Sequence, residues 1–223
     1  MSTEVQRELI LNFHGLGEPP EEIADAERNV WIPVEWFEEI LDVAPRHEVS
    51  VTFDDGNRSD VELALPALAE RGLSARFFPL TGRIGAANYL SAEDIVALRD
   101  AGMSIGSHGC EHRDWRTLED DELHEELTAS RRTLAEILDA DVAEAACPFG
   151  SYDRRVLRAL DGACYRRVFT SDGGTHPVGA RLASRATVDR SRPLSHWLEL
   201  ARTGARARPG PVLQGKRFIK RLR

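Results

Sequence analysis

The chain predicts an α/β fold built on parallel strands, either closed into a barrel or open as a doubly wound sheet, and three observations carry that expectation. Short β-type runs alternate with helical patterns over most of the 223 residues. Six or seven strands with helices between them imply parallel pairing, because a parallel neighbour is reached only by a crossover. Four runs, "NFHG", "TFDDG", "GSHGCEH" and "CPFG", end on residues that a buried strand does not explain. That is expected where the C-terminal ends of parallel strands gather at one face.

Each element has its own warrant. "ELILNF" (8–13) and "EVSVTF" (48–53) are apolar strand runs, with the amphipathic "VEWFEEILDV" (34–43) as a helix between them. Val61, Leu65 and Leu68 recur at helical spacing in a helix over 61–71 that Gly72 stops. After the strand "ARFFPL" (75–80), Ser91 caps the helix in "SAEDIVALRDAG", Asp94 completes a capping box and Gly102 ends it. "MSIGSHG" is a short strand running into a loop. Leu123, Leu127, Leu134 and Leu138 share one face of a long acidic helix that begins at Glu119. "AEAACPFG", a helix over 153–160, "RRVFTS" and a late apparent strand in "LASRATV" follow.

With 42% hydrophobic and 30% charged residues the composition is globular. A formal net charge of −8 argues against nucleic acid as a partner, since phosphate recognition rests on clustered Lys and Arg. Beyond Glu199 stand eight Lys or Arg and no acid, and taking them from the net of −8 leaves −16 on the rest. In the tail "GKRFIKRLR", Phe218, Ile219 and Leu222 alternate with basic residues. That pattern suits peripheral contact with an anionic membrane, against the plainer expectation of a solvated end. The N-terminal stretch lacks the basic flank of a secretory signal, and no run reaches the ~18 apolar residues of a membrane span. Cysteines at 110, 147 and 164 have no framework spacing, so they are expected to fill apolar space in a reducing compartment. The expected location is the cytoplasm, with any membrane contact peripheral to the inner face.

"SHGCEH" sets His108 and His112 four residues apart, a spacing that one helical turn would bring to the same side. Two imidazoles and one carboxylate, leaving open positions, suit a hydrolytic zinc. "TFDDG" places two like charges side by side at a strand end. The repulsion is resolved if Asp55 turns to the metal as third ligand while Asp54 remains beside it as the base toward water. Gly56 would provide the sharp turn that lets both side chains face one mouth.

These ordered motifs, "TFDDG", "SH" with a second His four residues on, and "PFG", resemble those of NodB-type polysaccharide deacetylases. The resemblance covers roughly residues 8–190, and three motifs in order are specific where one alone would be weak. It implies a distorted (β/α) barrel of seven or so strands. It also implies removal of an N-acetyl group from an amino sugar in a glycan by Zn2+ or another divalent first-row metal. Carried over, Asp54 is the general base, Asp55, His108 and His112 are the metal ligands, and the backbone N–H of Phe149 stabilises the oxyanion. Residues 1–195 would then be the catalytic domain and 196–223 a C-terminal helix and basic tail.

Three departures from the family pattern stand out. An Arg that steadies the catalytic carboxylate is replaced by Ala146, and Arg185 is the candidate substitute. Arg113 follows the second His where Pro is usual. The late His that protonates the leaving amine has no counterpart, because His176 lies in a turn and His196 starts a helix. His14, at the end of "LILNFHG", resembles the permuted members in which that motif comes first, and adjacent first and last strands of a closed barrel would leave it in the same place. It is the expected general acid. "SDGG" (171–174) resembles a segment at the substrate mouth, while Trp31 and Trp115 are expected in the core. A metal-dependent amidase or deformylase on another small amide, and a silent glycan-binding relative, are the rival expectations. Oligomeric state is not legible.

Overall fold

The computed structural model describes residues 5–206 and 211–222. The first four residues of the N-terminal stretch weighed as a leader, the tail residues Arg208 and Arg223, and the side chain of Leu222 lie outside the described residues. In chain order the first half contains β1 (Arg7–Phe13), β2 (Gly15–Leu16), α1 (Asp25–Arg28), β3 (Trp31–Ile32), α2 (Val34–Val43), β4 (Val49–Asp55), α3 (Leu65–Glu70), β5 (Arg76–Pro79), α4 (Ala92–Asp100) and β6 (Ser104–Ile105). The second half contains α5 (Asp120–Leu138), β7 (Glu144–Ala146), α6 (Arg154–Gly162), β8 (Arg167–Thr170), β9 (His176–Pro177), β10 (Leu182–Ser184), β11 (Ala186–Thr187), α7 (Leu194–Thr203) and α8 (Pro211–Leu222).

The strands close into a ring. β1 pairs in parallel with β4, β4 with β5 and β5 with β6. Ser107 then bridges in parallel to Ala145 of β7, which leads to β8 and β10. Residues 182–187 complete the circuit, because β10 pairs with β8 while β11, one residue on, pairs with β1 through Leu11↔Ala186 and Asn12↔Thr187. Arg185 is the residue between the two halves of this closing strand. The result is a distorted (β/α) barrel of seven staves, with β9 added antiparallel to β1.

Alternation along the strands separates two cores. Outward residues Phe13, Phe53 and Phe77 stack in sequence and meet Phe37 of α2, under the helical layer. Inward residues Ile10, Phe78, Ala146, Phe169 and Ala183 form a small lumen core of their own. Beneath it lie the pairs Glu8–Arg167 and Arg76–Glu144. Above it lie the buried polar residues Asn12, Thr52, Asp54 and Arg185.

The helical layer follows the sequence closely, with local differences that have physical causes. Ser91 and Asp94 make both bonds of the capping box. The helix expected over 61–71 instead begins with a wide turn, Asp60–Ala64, before α3. Pro66 has no N–H to give Glu62, and Leu65 N–H reaches back five residues to Asp60 O. His176 belongs to β9 rather than a turn, and its Nε2 lies 2.9 Å from Glu8 Oε1. The junction at 195 falls inside α7, which buries Trp197 and Ala201 and packs on α2. Trp31 and Trp115 are core residues, as is Cys147, whereas Cys164 is exposed and fills no apolar space. No described helix is long and apolar enough to cross a membrane.

Candidate active site

β4 runs two residues further than its apolar pattern and carries both carboxylates at its end. Asp54 faces the lumen by strand alternation. Asp55 would face away, but its own backbone is left-handed (φ 77°), followed by Gly56 at φ 74°, so its side chain turns to the same mouth. The turn is tight, since a Cβ on Gly56 would stand 2.8 Å from Pro79 Cβ. The freedom expected of Gly56 alone is therefore shared with an aspartate held in a costly conformation.

His108 and His112 meet without a helix. Residues 106–119 form an irregular loop, apart from the Ser107 bridge, and His112 itself has φ 51°. Glu126, buried on α5, holds this loop: its Oε1 accepts the N–H of Cys110 at 2.8 Å and of Glu111 at 3.0 Å. Gly109 passes so close that a Cβ there would lie 2.8 Å from the same oxygen. His108 Nδ1 is 2.8 Å from Ala146 O, and since a carbonyl only accepts, that nitrogen carries the proton and Nε2 presents its lone pair. Burial pushes His108 down to about 4, overriding the opposite pull of Asp54 and Asp55, so the ring is neutral at pH 7.

The three groups fit a divalent cation. Both histidine Nε2 atoms lie 3.6 Å from Asp55 Oδ1, too far for a hydrogen bond. That distance is close to the edge of about 3.4 Å between ligands in a tetrahedral site with bonds near 2.1 Å. Asp55 Oδ1 is buried and has no hydrogen-bond partner, a costly state that a cation would relieve. Among the described residues this is the one cluster of His, Cys, Asp or Glu whose ligand atoms lie within 4.8 Å of one another.

Arg185 holds Asp54 with both arms, Nη1 to Oδ1 at 2.6 Å and Nη2 to Oδ2 at 2.8 Å. Asn12 Nδ2 donates to the same Oδ2 at 2.9 Å, while Asn12 Oδ1 accepts from Arg185 and from Thr52. The guanidinium stacks over Phe78 at 5.4 Å. Burial by itself would raise the Asp54 carboxyl, but Arg185 and then His108 override it and hold the group well below the usual carboxylate range.

Asp54, Asp55, His108 and His112 line a cleft of ≈ 410 Å³ together with His14 and Phe149. His14 stands one residue beyond β1, and its Nδ1 is buried without a hydrogen-bond partner. His176 and His196 are elsewhere, under the barrel and on α7. Phe149, in the short turn Pro148–Gly150, has φ 57°, and its ring is 65% exposed and 4.4 Å from that of His112. Ser171 of "SDGG" also lines the cleft. All seven residues singled out in the sequence thus converge, six around the cleft and Arg185 directly beneath it.

Residues 42–168 match the polysaccharide deacetylase family, more than half of the chain. The chain belongs to that family. YxkH of Bacillus subtilis (strain 168), provisionally named a polysaccharide deacetylase, is 26% identical over 126 residues, 56% of this chain and 45% of its own length. The chain thus spans less than half of that curated relative. The Streptococcus pyogenes deacetylase PplD in complex with acetate superposes with a TM-score of 0.76 at 20% identity, covering 88% of this chain and 98% of that one. IcaB from Ammonifex degensii gives 0.74 at 21%, covering 88% and 97%. At these identities the likeness speaks for the barrel alone.

Three buried polar residues of this family member escaped the sequence reading. Asn12 is a lone polar residue in an apolar run, and Glu126 an acid on the leucine face of α5; both were visible as breaks in pattern. Asp60, fully buried with neither carboxylate oxygen hydrogen-bonded, has no such signal.

Proposed function

We propose that the protein hydrolyses an N-acyl group, most simply N-acetyl, from an amino sugar of a glycan, using a divalent first-row cation held by Asp55, His108 and His112. The observation that carries this is the unpartnered Asp55 Oδ1 facing two imidazoles, beside a second carboxylate that Arg185 keeps ionised. A cation bound there supplies Lewis acidity toward water and the acyl carbonyl. Asp54 accepts the proton of the attacking water as the new C–O bond forms. The Phe149 N–H donates to the developing oxyanion. His14 gives a proton to the amine nitrogen as the C–N bond breaks, leaving a free amine and a carboxylate. Arg185 does not touch substrate; it fixes the orientation of Asp54. The three thiols without disulfides support action in a reducing compartment, for which we propose the cytoplasm.

The test is incubation of the zinc-, cobalt- or nickel-loaded protein with a panel of N-acetylated oligosaccharides and simple amides, scored for released acetate and for the mass of the product. A loss of one acetyl from a glycan, abolished by Asp54→Asn, is the expected outcome. Turnover of simple amides with no acetylated glycan consumed would assign the amidase chemistry instead. Inertness toward the whole panel with metal bound would leave a glycan-binding relative.

A further inference from the structure

Among the described side chains of α8, basic ones turn toward the protein and apolar ones away from it. Its basic residues Arg217 and Lys220, three apart and so on one face, point into the molecule. Arg217 donates to Thr175 O at 3.2 Å, to Ser184 Oγ at 2.7 Å and to Gly173 O. Lys220 Nζ donates to Asp172 Oδ1 at 2.6 Å and Gly150 O at 3.1 Å, and lies 5.0 Å from the Tyr152 ring centre. Phe218 and Ile219, turned away by the 100° step of the helix, are 63% and 50% exposed. The Lys220–Gly150 bond ties α8 to the turn that carries Phe149, the exposed aromatic at the rim of the cleft.

Charge selects the occupant. The chain beyond Glu199 carries eight Lys or Arg and no acid, against a net of −8 for the whole. An anionic surface therefore attracts this end and repels the rest, which orients the molecule with α8 toward it. Bulky apolar side chains exposed on a helix, in a chain segment of net positive charge, match the interface of an anionic bilayer. We propose that α8 is a membrane-surface anchor that lays Phe218 and Ile219 into an anionic lipid interface and brings the mouth of the cleft to the same plane. Its consequence, that the acylated sugar is carried on lipid, rests on the deacetylase reading; the anchoring itself does not.

The experiment is vesicle flotation of the full chain without substrate, with phosphatidylcholine alone or mixed with phosphatidylglycerol, at low and high salt. Flotation only with the anionic vesicles, weakened by salt, is expected. Phe218→Ser/Ile219→Ser should lower the partition coefficient by on the order of tenfold or more with an unchanged circular dichroism spectrum. Absence of flotation with either vesicle, or equal flotation of the double variant, would overturn the proposal. So would a dimer in sedimentation velocity that the double variant abolishes without any vesicle binding, since a second copy would then cover the edge. A protein inactive on every glycan can still float, so the two readings fail separately.

Discussion

Arg185 meets Asp54 through two parallel hydrogen bonds of 2.6 and 2.8 Å across 131 residues of chain, with both side chains buried. Breaking such a pair leaves an uncompensated charge, so Arg185→Met should cost about 3–5 kcal/mol in denaturant unfolding. Arg185→Lys should keep part of the stability but not the fork, lowering kcat more than it changes KM. Asp54 is held below its ordinary range, so the stability it contributes is present above the unfolded carboxylate value. It disappears as pH falls through the lower folded value. The gap between wild type and Arg185→Met should therefore narrow below about pH 4.

Chelation should abolish activity, and one equivalent of a first-row divalent ion should restore it. Asp55→Ala, His108→Ala and His112→Ala should each weaken metal binding by at least about a hundredfold, as seen in titration calorimetry. Asp54→Asn should retain metal yet lose about 10²–10⁴ in kcat. Retention of a full equivalent by any of the first three would place the ion elsewhere.

His14→Asn should lower kcat by about 10²–10⁴ with metal content unchanged. An unaltered kcat would remove His14 from the chemistry and leave the proton to the amine to be delivered by water.

Glu126 ties the loop between His108 and His112, accepting the N–H of Cys110 and of Glu111. Glu126→Ala should weaken metal affinity about 10–100-fold, as loss of supporting hydrogen bonds does, and Glu126→Gln, which retains an acceptor, should recover part of it. Metal titration separates this from a loss of folding, which circular dichroism would report.

Asp60 is raised well above the ordinary carboxylate value, by burial first and then by Asp55 and Asp54. The folded protein keeps a proton that the unfolded chain releases, so this group erodes stability as pH rises from the unfolded value through the folded one. Asp60→Asn should raise the melting temperature of the metal-free protein, by an increment that grows between pH 4 and 7. An increment that stays flat with pH would show that Asp60 is ionised in the fold.

Much of this was legible in the sequence because the signals were local. The capping box of Ser91 and Asp94, the strand runs and the leucine face of α5 each rest on residues within a turn or two of one another. The convergence of Asp55, His108 and His112 was legible because strand ends of a parallel fold gather at one face, whatever the loop between His108 and His112 does. What stayed hidden depends on encounters across the fold. The left-handed backbone of Asp55 falls where β4 pairs with Pro79 of β5, and the inward-facing Lys220 of α8 rests on Asp172 and Gly150. None of these partners is adjacent in sequence to the residue it meets.

The closing strand couples the completion of the ring to the anchoring of Asp54. A ribosome releases Asp54 long before Arg185 exists, on the order of ten seconds at ~5–20 residues per second, and until β11 follows, β1 lacks the parallel partner that closes the ring. An emerging chain therefore carries the whole proposed metal-binding set, Asp55, His108 and His112, before it can hold Asp54 in place. Premature termination before position 185 yields a polypeptide that has Asp54, Asp55, His108 and His112 but lacks the guanidinium that holds Asp54 in the folded protein.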